Sequence, residues 1–169
     1  LEPKQFSAYV EAIESSGGKV SPLNSDVKAL VWTDYSDLNG LRVAIEKNPQ
    51  LEWVQLPFAG VDAFAAILDA PVTFTSAKRS YSEPVAEHAL MLAMALGRIL
   101  PKRVKAQSWG EKYADSLYEE QVAIIGGGGI AQELVKLLAP FRAKVTVVRK
   151  RPKAEFDSHL VANVVGFEK

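Results

Sequence analysis

The sequence predicts an α/β fold with a mostly parallel sheet. Short runs of β-branched and aromatic residues alternate with segments of helical periodicity along the 169 residues. A glycine-rich turn also joins a strand-like run to a helix-like run, and another strand-like run follows within about 30 residues. Such alternation favours parallel strands, because parallel neighbours need a crossover segment between them.

The composition excludes several classes of protein. Hydrophobic residues make up 48% of the chain and 20 basic residues balance 20 acidic ones, so neither disorder nor attraction to nucleic acid or anionic membrane is expected. The chain has no cysteine, and its two histidines are far apart, which argues against a metal site. The apolar run Ala89 to Leu96 is shorter than the roughly 20 residues of a membrane span. We therefore expect a cytoplasmic protein.

The first 80 residues predict two helices and three strands. Apolar residues at helical spacing predict a helix over 6–15, which Gly17 and Gly18 end. A second helix is expected from Leu41 to Lys47, because the turn Asn48-Pro49 follows it. The three short apolar strands are Ala29–Trp32, Leu51–Leu56 and Val72–Thr75.

A long apolar helix is predicted next. Ser82 is the expected N-cap, Glu83 suits the positive end of the helix dipole, and Pro84 is tolerated in the first turn. From Val85 to Leu100 the helix is apolar on nearly all sides, so it should be buried in the core or against a partner. The polar stretch 101–120 is expected to cross between two lobes.

The glycine turn lies between two predicted strands. Val122–Ile125 is an apolar run of the kind found in strands covered on both faces. The turn 126–129 and a helix with apolar residues at helical spacing follow it, up to Pro140. Val145–Val148 is the next strand.

The spacing Gly126-x-Gly128-x-x-Ala131 in this context predicts a dinucleotide site. Gly126 allows the tight turn, Gly128 leaves room for a pyrophosphate, and Ala131 lets the helix pack close to the strand. The N–H groups around Gly129 and Ile130 would then face the phosphate oxygens. The alternative is a glycine-rich turn that binds nothing.

The residues after the second strand bear on the choice of cofactor. An acid there would bind the adenosine ribose hydroxyls of NAD, but the positions hold Arg149, Lys150 and Arg151. Three cations favour the 2′-phosphate of NADP over NAD. The alternative is a solvated basic turn.

Three ordered motifs resemble the D-isomer-specific 2-hydroxyacid dehydrogenase family. They are Trp53–Asp62, Ser82–His88 and Val122–Ala131. The resemblance implies a flavodoxin-like substrate lobe and a Rossmann-type dinucleotide-binding lobe, the latter only partly represented in this chain. It also implies hydride transfer between NAD(P)H and a small 2-oxo or 2-hydroxy acid.

The resemblance further suggests roles for individual residues. The backbone of Ala59, Gly60 and Val61 would bind the substrate carboxylate, and Lys78 would add positive charge. Val85 would lie near the nicotinamide, and the 85–100 helix would form a homodimer. The alternative for the loop 59–61 is a plain turn. The alternative for Lys78 is a solvated surface lysine, and that for Val85 is a core valine.

The arginine, glutamate and histidine that the family uses for catalysis have no counterparts in this sequence, so the catalytic residues stay unknown. His88 is interpreted as structural, and His159 lacks family-like neighbours. We expect a substrate domain over 1–80, an incomplete NAD(P)-binding domain over 81–158, and a C-terminal return segment to the substrate domain over 159–169. Near 152–158 the sequence is expected to join two segments of a longer protein.

Two further classes of function remain open at this stage. One is a dinucleotide-binding regulatory or corepressor-like protein of the same fold with little or no catalysis. The other is a flavodoxin-like binding module that uses residues 1–80 alone, against which the glycine turn argues.

Overall fold

The chain forms two compact units, Leu1–Ser80 and Tyr81–Lys169, in a computed structural model that describes residues 1–110, 112–154, 156 and 162–167. Each unit contains a three-stranded parallel sheet, which confirms the predicted α/β class. The polar segment 101–120 lies within the second unit, so the expectation that it crosses between lobes is wrong.

The first unit has the sheet order β1-β2-β3. Each predicted strand forms, shorter at one or both ends than its apolar run. The register pairs Leu30 with Val54, and Val54 with Phe74. The elements are α1 (Ser7–Ser15), β1 (Ala29–Val31), α2 (Leu38–Lys47), β2 (Trp53–Gln55), a 3₁₀ helix (Asp62–Ile67) and β3 (Thr73–Thr75).

One face of this sheet packs in the core of the unit. Leu30 and Val54 are buried there together with Leu41 of α2 and Phe64 of the 3₁₀ helix. The opposite face carries a polar network, in which Trp53 Nε1 donates to Thr75 Oγ1 at 2.7 Å. Burial of the apolar face fixes the register, because a one-residue slip would exchange the two faces.

The second unit has the sheet order β4-β5-β6. Its elements are α3 (Ser82–Gly97), α4 (Leu100–Arg103), β4 (Gln121–Ile125), α5 (Gly129–Leu138), a 3₁₀ helix (Ala139–Phe141), β5 (Lys144–Val148) and β6 (Asn163–Val165). The core combines Val145 and Val147 of β5 with Val135 and Leu138 of α5. Among the described residues, no helix has the length and hydrophobicity needed to cross a bilayer.

Helix α3 differs from its prediction in three respects. Ser82 is a buried first-turn residue rather than the cap, which is Tyr81. The helix ends at Gly97, because the backbone turns left-handed at Ile99 with φ 47°. Only Ser82 and Ala86 of α3 are buried, whereas Leu96 is 68% exposed, so this unit alone does not bury the apolar helix.

Strand β4 is covered on one face, which corrects the prediction of burial on both faces. Val122 and Ile124 pack against the core that α5 supplies. Ile125 points to the other face and is 81% exposed. The physical reason is the placement of the helices, since residues of α3 and α5 pack with Val122 and Ile124 on one face. The residues of β4 that point to the other face stay exposed.

The end of the chain also differs from its prediction. Strand β6 pairs in parallel with β5, matching Thr146 with Asn163 and Val148 with Val165. Residues 163–165 therefore extend the second sheet. The prediction that they return to the substrate domain is wrong. Its positions 159–161, 168 and 169 lie outside the described residues.

Candidate cofactor site

The glycine turn begins where β4 ends. Gly126 has φ +104°, a left-handed conformation that glycine adopts without the steric cost of a side chain. Its N–H donates to the carbonyl of Val148 at 2.8 Å, so the turn is fixed against the end of β5. Gly126 therefore has the tight-turn role predicted from its position in the motif.

Gly128 is the N-cap residue of α5 and has extended backbone, with φ −81° and ψ −170°. A Cβ placed on it would meet no atom within 4 Å, so the space beside its backbone is open. The first N–H groups of a helix have no intrahelical acceptor, and here these belong to Gly129, Ile130 and Ala131. Unpaired N–H groups at the positive end of a helix dipole fit a bound phosphate.

Ala131 is buried in the first turn of α5. Val135 and Leu138, farther along the same helix, pack with Val145 and Val147 of the sheet. A small residue at position 131 therefore fits the close approach of helix and strand that the motif predicts.

Arg149 follows β5 directly and lies beside the glycine turn. Its N–H donates to the carbonyl of Val165 at 2.9 Å. A Cβ built on Gly127 would lie 2.6 Å from Arg149 Cδ and 3.2 Å from its Nε. The guanidinium carbon lies 5.8 Å from the centre of the Phe156 ring. Lys150 and Arg151, next along the chain, are exposed.

The sequence motif did not identify Gly127. The spacing rule uses Gly126 and Gly128 and leaves position 127 free. The available signal was the run of four glycines, two more than the spacing rule uses. Only the fold shows that Arg149 crosses this position.

Val85 lies in the first turn of α3 and is exposed. Helix α3 packs against α5, the helix that begins at the glycine turn. The role of Val85 beside a nicotinamide stays a prediction.

The predicted substrate loop lies at the carboxyl end of β2. Ala59 and Gly60 are exposed, and Val61 is the N-cap residue of the 3₁₀ helix. The N–H of Ala77 donates to the carbonyl of Phe58 at 3.0 Å, which ties this loop to the segment after β3. Lys78 follows Ala77 and is exposed. The structure thus brings the two predicted substrate-binding segments to one edge of the first sheet.

Acidic groups share this edge. Asp62 Oδ2 lies 3.5 Å from the position that a Cβ on Gly60 would take. Asp34 follows β1 and accepts hydrogen bonds from the N–H and the hydroxyl of Ser36, both at 2.8 Å. These bonds hold the pKa of the Asp34 carboxyl below its ordinary value, the backbone bond having the larger effect. The edge therefore carries carboxylates as well as Lys78.

The two histidines do not complete a site. His88 is exposed on α3, so the structure does not give it the packed role that a structural histidine would have. His159 lies outside the described residues. Within the described part of the chain, no group of three His, Cys, Asp or Glu residues is arranged to hold a metal ion.

A cavity of about 730 Å³ lies beside α4, and its lining includes no residue of the glycine turn. Its lining includes Lys102, Arg103, Trp109 and Tyr113. The Tyr113 hydroxyl donates to Asp115 at 2.9 Å, which raises the pKa of Tyr113. The sequence predicts only a polar crossover here, and no motif assigns a ligand to the cavity.

A parallel sheet with a glycine turn at the start of α5 defines the second unit as a Rossmann-type dinucleotide-binding unit, represented in part. Residues 88–169 match the family model described as "D-isomer specific 2-hydroxyacid dehydrogenase, NAD binding domain". Over these residues the chain is similar to the NAD-binding domain of that family, which confirms the resemblance seen in the motifs.

A curated protein is similar over most of the chain. An uncharacterized protein in the proB 3′ region of Corynebacterium melassecola is 28% identical over 157 residues, which cover 88% of this chain and 50% of that protein. The chain therefore spans about half the length of the curated relative it matches.

Two solved structures show the fold. A D-isomer specific 2-hydroxyacid dehydrogenase family protein from Aeromonas salmonicida subsp. salmonicida A449 gives a TM-score of 0.68 at 20% identity, covering 95% of this chain and 55% of that one. An acyclic imino acid reductase in complex with NADPH and D-Arg gives a TM-score of 0.66 at 17% identity, covering 96% of this chain and 57% of that one. The matched fold thus includes a protein with bound NADPH, and the family model is described as NAD-binding.

Proposed function

We propose that the protein is a cytoplasmic NAD(P)-dependent oxidoreductase that interconverts a small 2-oxo acid and the corresponding 2-hydroxy acid. The observation that carries the proposal is the glycine turn, with left-handed Gly126, open space beside Gly128 and the N-terminus of α5. This combination suits a pyrophosphate, which approaches bare backbone and accepts from N–H groups. The family match of residues 88–169 supports the same assignment.

The residues of the turn have distinct parts in this proposal. Gly126 and Gly128 let the backbone approach the pyrophosphate, and the N–H groups of Gly129 and Ile130 donate to it. When bound, the nicotinamide supplies or accepts the hydride, with Val85 beside it. Ala59, Gly60, Val61 and Lys78 hold the substrate carboxylate.

We further assign NADP as the preferred cofactor. Arg149 directly follows β5 and lies beside the turn, with Lys150 and Arg151 next to it. An arginine forks two N–H groups onto a phosphate, whereas NAD offers only ribose hydroxyls at this position.

Titration of the purified protein with NADPH and NADH tests the assignment. We expect NADPH to bind at least about tenfold more tightly, since one charge-assisted hydrogen bond contributes about 1.5 kcal/mol or more. Arg149→Asp should reverse this preference, because its carboxylate repels the 2′-phosphate and accepts from ribose hydroxyls. Tighter NADH binding together with an unchanged ratio in Arg149→Asp would refute NADP preference.

Turnover separates an enzyme from a regulatory protein. The protein is mixed with a panel of 2-oxo acids that includes hydroxypyruvate and glyoxylate, and with NADPH or NADH. Oxidation of the reduced cofactor is followed by its absorbance. We expect the cofactor to be oxidised only when a suitable 2-oxo acid is present. Dinucleotide binding without turnover of any acid would favour the regulatory alternative.

We also propose a homodimer formed through α3. The helix exposes Met91, Leu92 and Leu96, an apolar surface that a second copy would cover. Leu92→Glu should shift the protein to monomer in sedimentation velocity, because a charge buried at an interface is costly. Lys105→Glu, which changes charge at an exposed site outside α3, should leave the dimer intact. A wild-type monomer at high concentration would contradict this prediction.

A further inference from the structure

We infer that Gly127 determines cofactor specificity, because its missing side chain leaves the space in which Arg149 lies against the glycine turn. The spacing motif gives Gly127 no role, since it assigns the turn to Gly126 and the phosphate approach to Gly128. The inference rests on the dinucleotide binding proposed above. It adds a positioning residue that acts through Arg149.

The contact between the two residues is specific. A Cβ on Gly127 would lie 2.6 Å from Arg149 Cδ, 3.2 Å from Nε and 3.3 Å from a terminal guanidinium nitrogen. The first distance is shorter than any van der Waals contact, so the arginine would have to move. The three nearest atoms all belong to Arg149, and none belongs to the backbone.

Backbone conformation does not explain the glycine at 127. Left-handed φ values among the described glycines occur at Gly17 and Gly126, and Gly127 is not one of them. An alanine at 127 therefore fits the backbone, and the atoms nearest to its methyl group are those of the Arg149 side chain. Space for Arg149 is the remaining physical reason for a glycine here.

Two more contacts hold Arg149 in this position. Its own N–H donates to Val165 of β6 at 2.9 Å, which fixes the start of the side chain. Its guanidinium carbon lies 5.8 Å from the centre of the Phe156 ring, within the range of a cation–π interaction. A side chain held in this way loses less conformational freedom when a ligand binds.

The ligand group that fits Arg149 is the 2′-phosphate of NADP. In a Rossmann-type unit the end of the second strand faces the adenosine ribose, and Arg149 directly follows β5, the strand in that position. The first N–H groups of α5 would donate hydrogen bonds to the pyrophosphate, which NAD and NADP share. Gly127 should therefore affect NADPH binding and leave NADH binding nearly unchanged.

Two alanine substitutions one residue apart test this inference by titration with NADPH and NADH. Gly127→Ala should raise the Kd for NADPH about tenfold and change that for NADH less than about twofold, as expected for one displaced charge-assisted contact. Gly128→Ala should raise both Kd values by similar factors, because its methyl group fills the space of the shared pyrophosphate. In an Arg149→Ala background, Gly127→Ala should have no further effect on either cofactor.

Phe156→Leu provides a second variant that leaves the glycine turn untouched. It removes the ring under the guanidinium and should shift the NADPH to NADH ratio in the same direction as Gly127→Ala. Thermal unfolding of each variant checks that the fold is kept.

Several results would overturn the inference. They are equal losses for NADPH and NADH in Gly127→Ala, no loss for either, or an undiminished effect of Gly127→Ala when Arg149 is already alanine. Failure of the wild-type protein to bind either dinucleotide would instead overturn the proposed function itself.

Discussion

Gly128→Thr should weaken dinucleotide binding about 100-fold while leaving the fold intact. A Cβ at this position meets no atom within 4 Å outside the neighbouring residues, so the side chain would enter the space proposed for the pyrophosphate. Its hydroxyl could also accept from the first N–H groups of α5, which are the donors proposed for phosphate. Loss of two such bonds, at about 1.5 kcal/mol each, weakens binding about 100-fold.

The fold should tolerate this substitution for two reasons. Threonine is about as good an N-cap residue as glycine, and the extended backbone at Gly128 suits a β-branched side chain. Gly110→Thr is the matched control, because Gly110 also has open space around its Cα and lies outside the turn. Calorimetric titration and thermal unfolding would be measured for both variants. Undiminished binding in Gly128→Thr would show that the pyrophosphate lies elsewhere.

Sequence reasoning works where a position has one local physical requirement. Gly126 is an example, since a tight turn after a strand needs a left-handed residue and the structure has φ +104° there. The alternation of strand-like and helix-like segments likewise predicts parallel strands, and the structure has them. Burial of one face of a sheet then fixes which residues pair. These requirements involve only a few neighbouring residues.

Sequence reasoning fails where the outcome depends on what covers a surface. An apolar strand has the same composition whether both of its faces are covered or only one. Ile125 is accordingly 81% exposed in a run that predicts burial on both faces. Helix α3 shows the same limit, since its apolar residues require a cover that the second unit does not provide.

The contact between Gly127 and Arg149 is beyond local reasoning for another reason. The two residues lie 22 positions apart in sequence and meet because β5 pairs with β4. Their register places the end of β5 beside the start of the turn. A motif of fixed spacing describes the turn and the arginine separately, and only the paired strands join them.

Phe64→Ala should destabilise the first unit by about 3–5 kcal/mol, the usual range for removing a core phenylalanine. Phe64 is 2% exposed and packs in the same core as Leu30, Leu41 and Val54. The cost is a large part of the 5–15 kcal/mol that typically separates folded and unfolded states. Its N–H also donates to the carbonyl of Val61 at 2.9 Å, so the proposed substrate loop is anchored to this core.

Phe58→Ala is the matched control, because it removes the same kind of ring, just before the 3₁₀ helix, at a site that is 45% exposed. Phe58 contacts Tyr35 at a ring-centre distance of 5.4 Å, an interaction that accounts for at most about 1.5 kcal/mol. Urea unfolding followed by tryptophan fluorescence would compare the two variants. Buried Trp32 reports on the first unit, whereas Trp109 is 99% exposed and should respond little. Equal shifts of the urea midpoint would mean that the buried Phe64 ring stabilises the core no more than an exposed ring does, which would contradict this prediction.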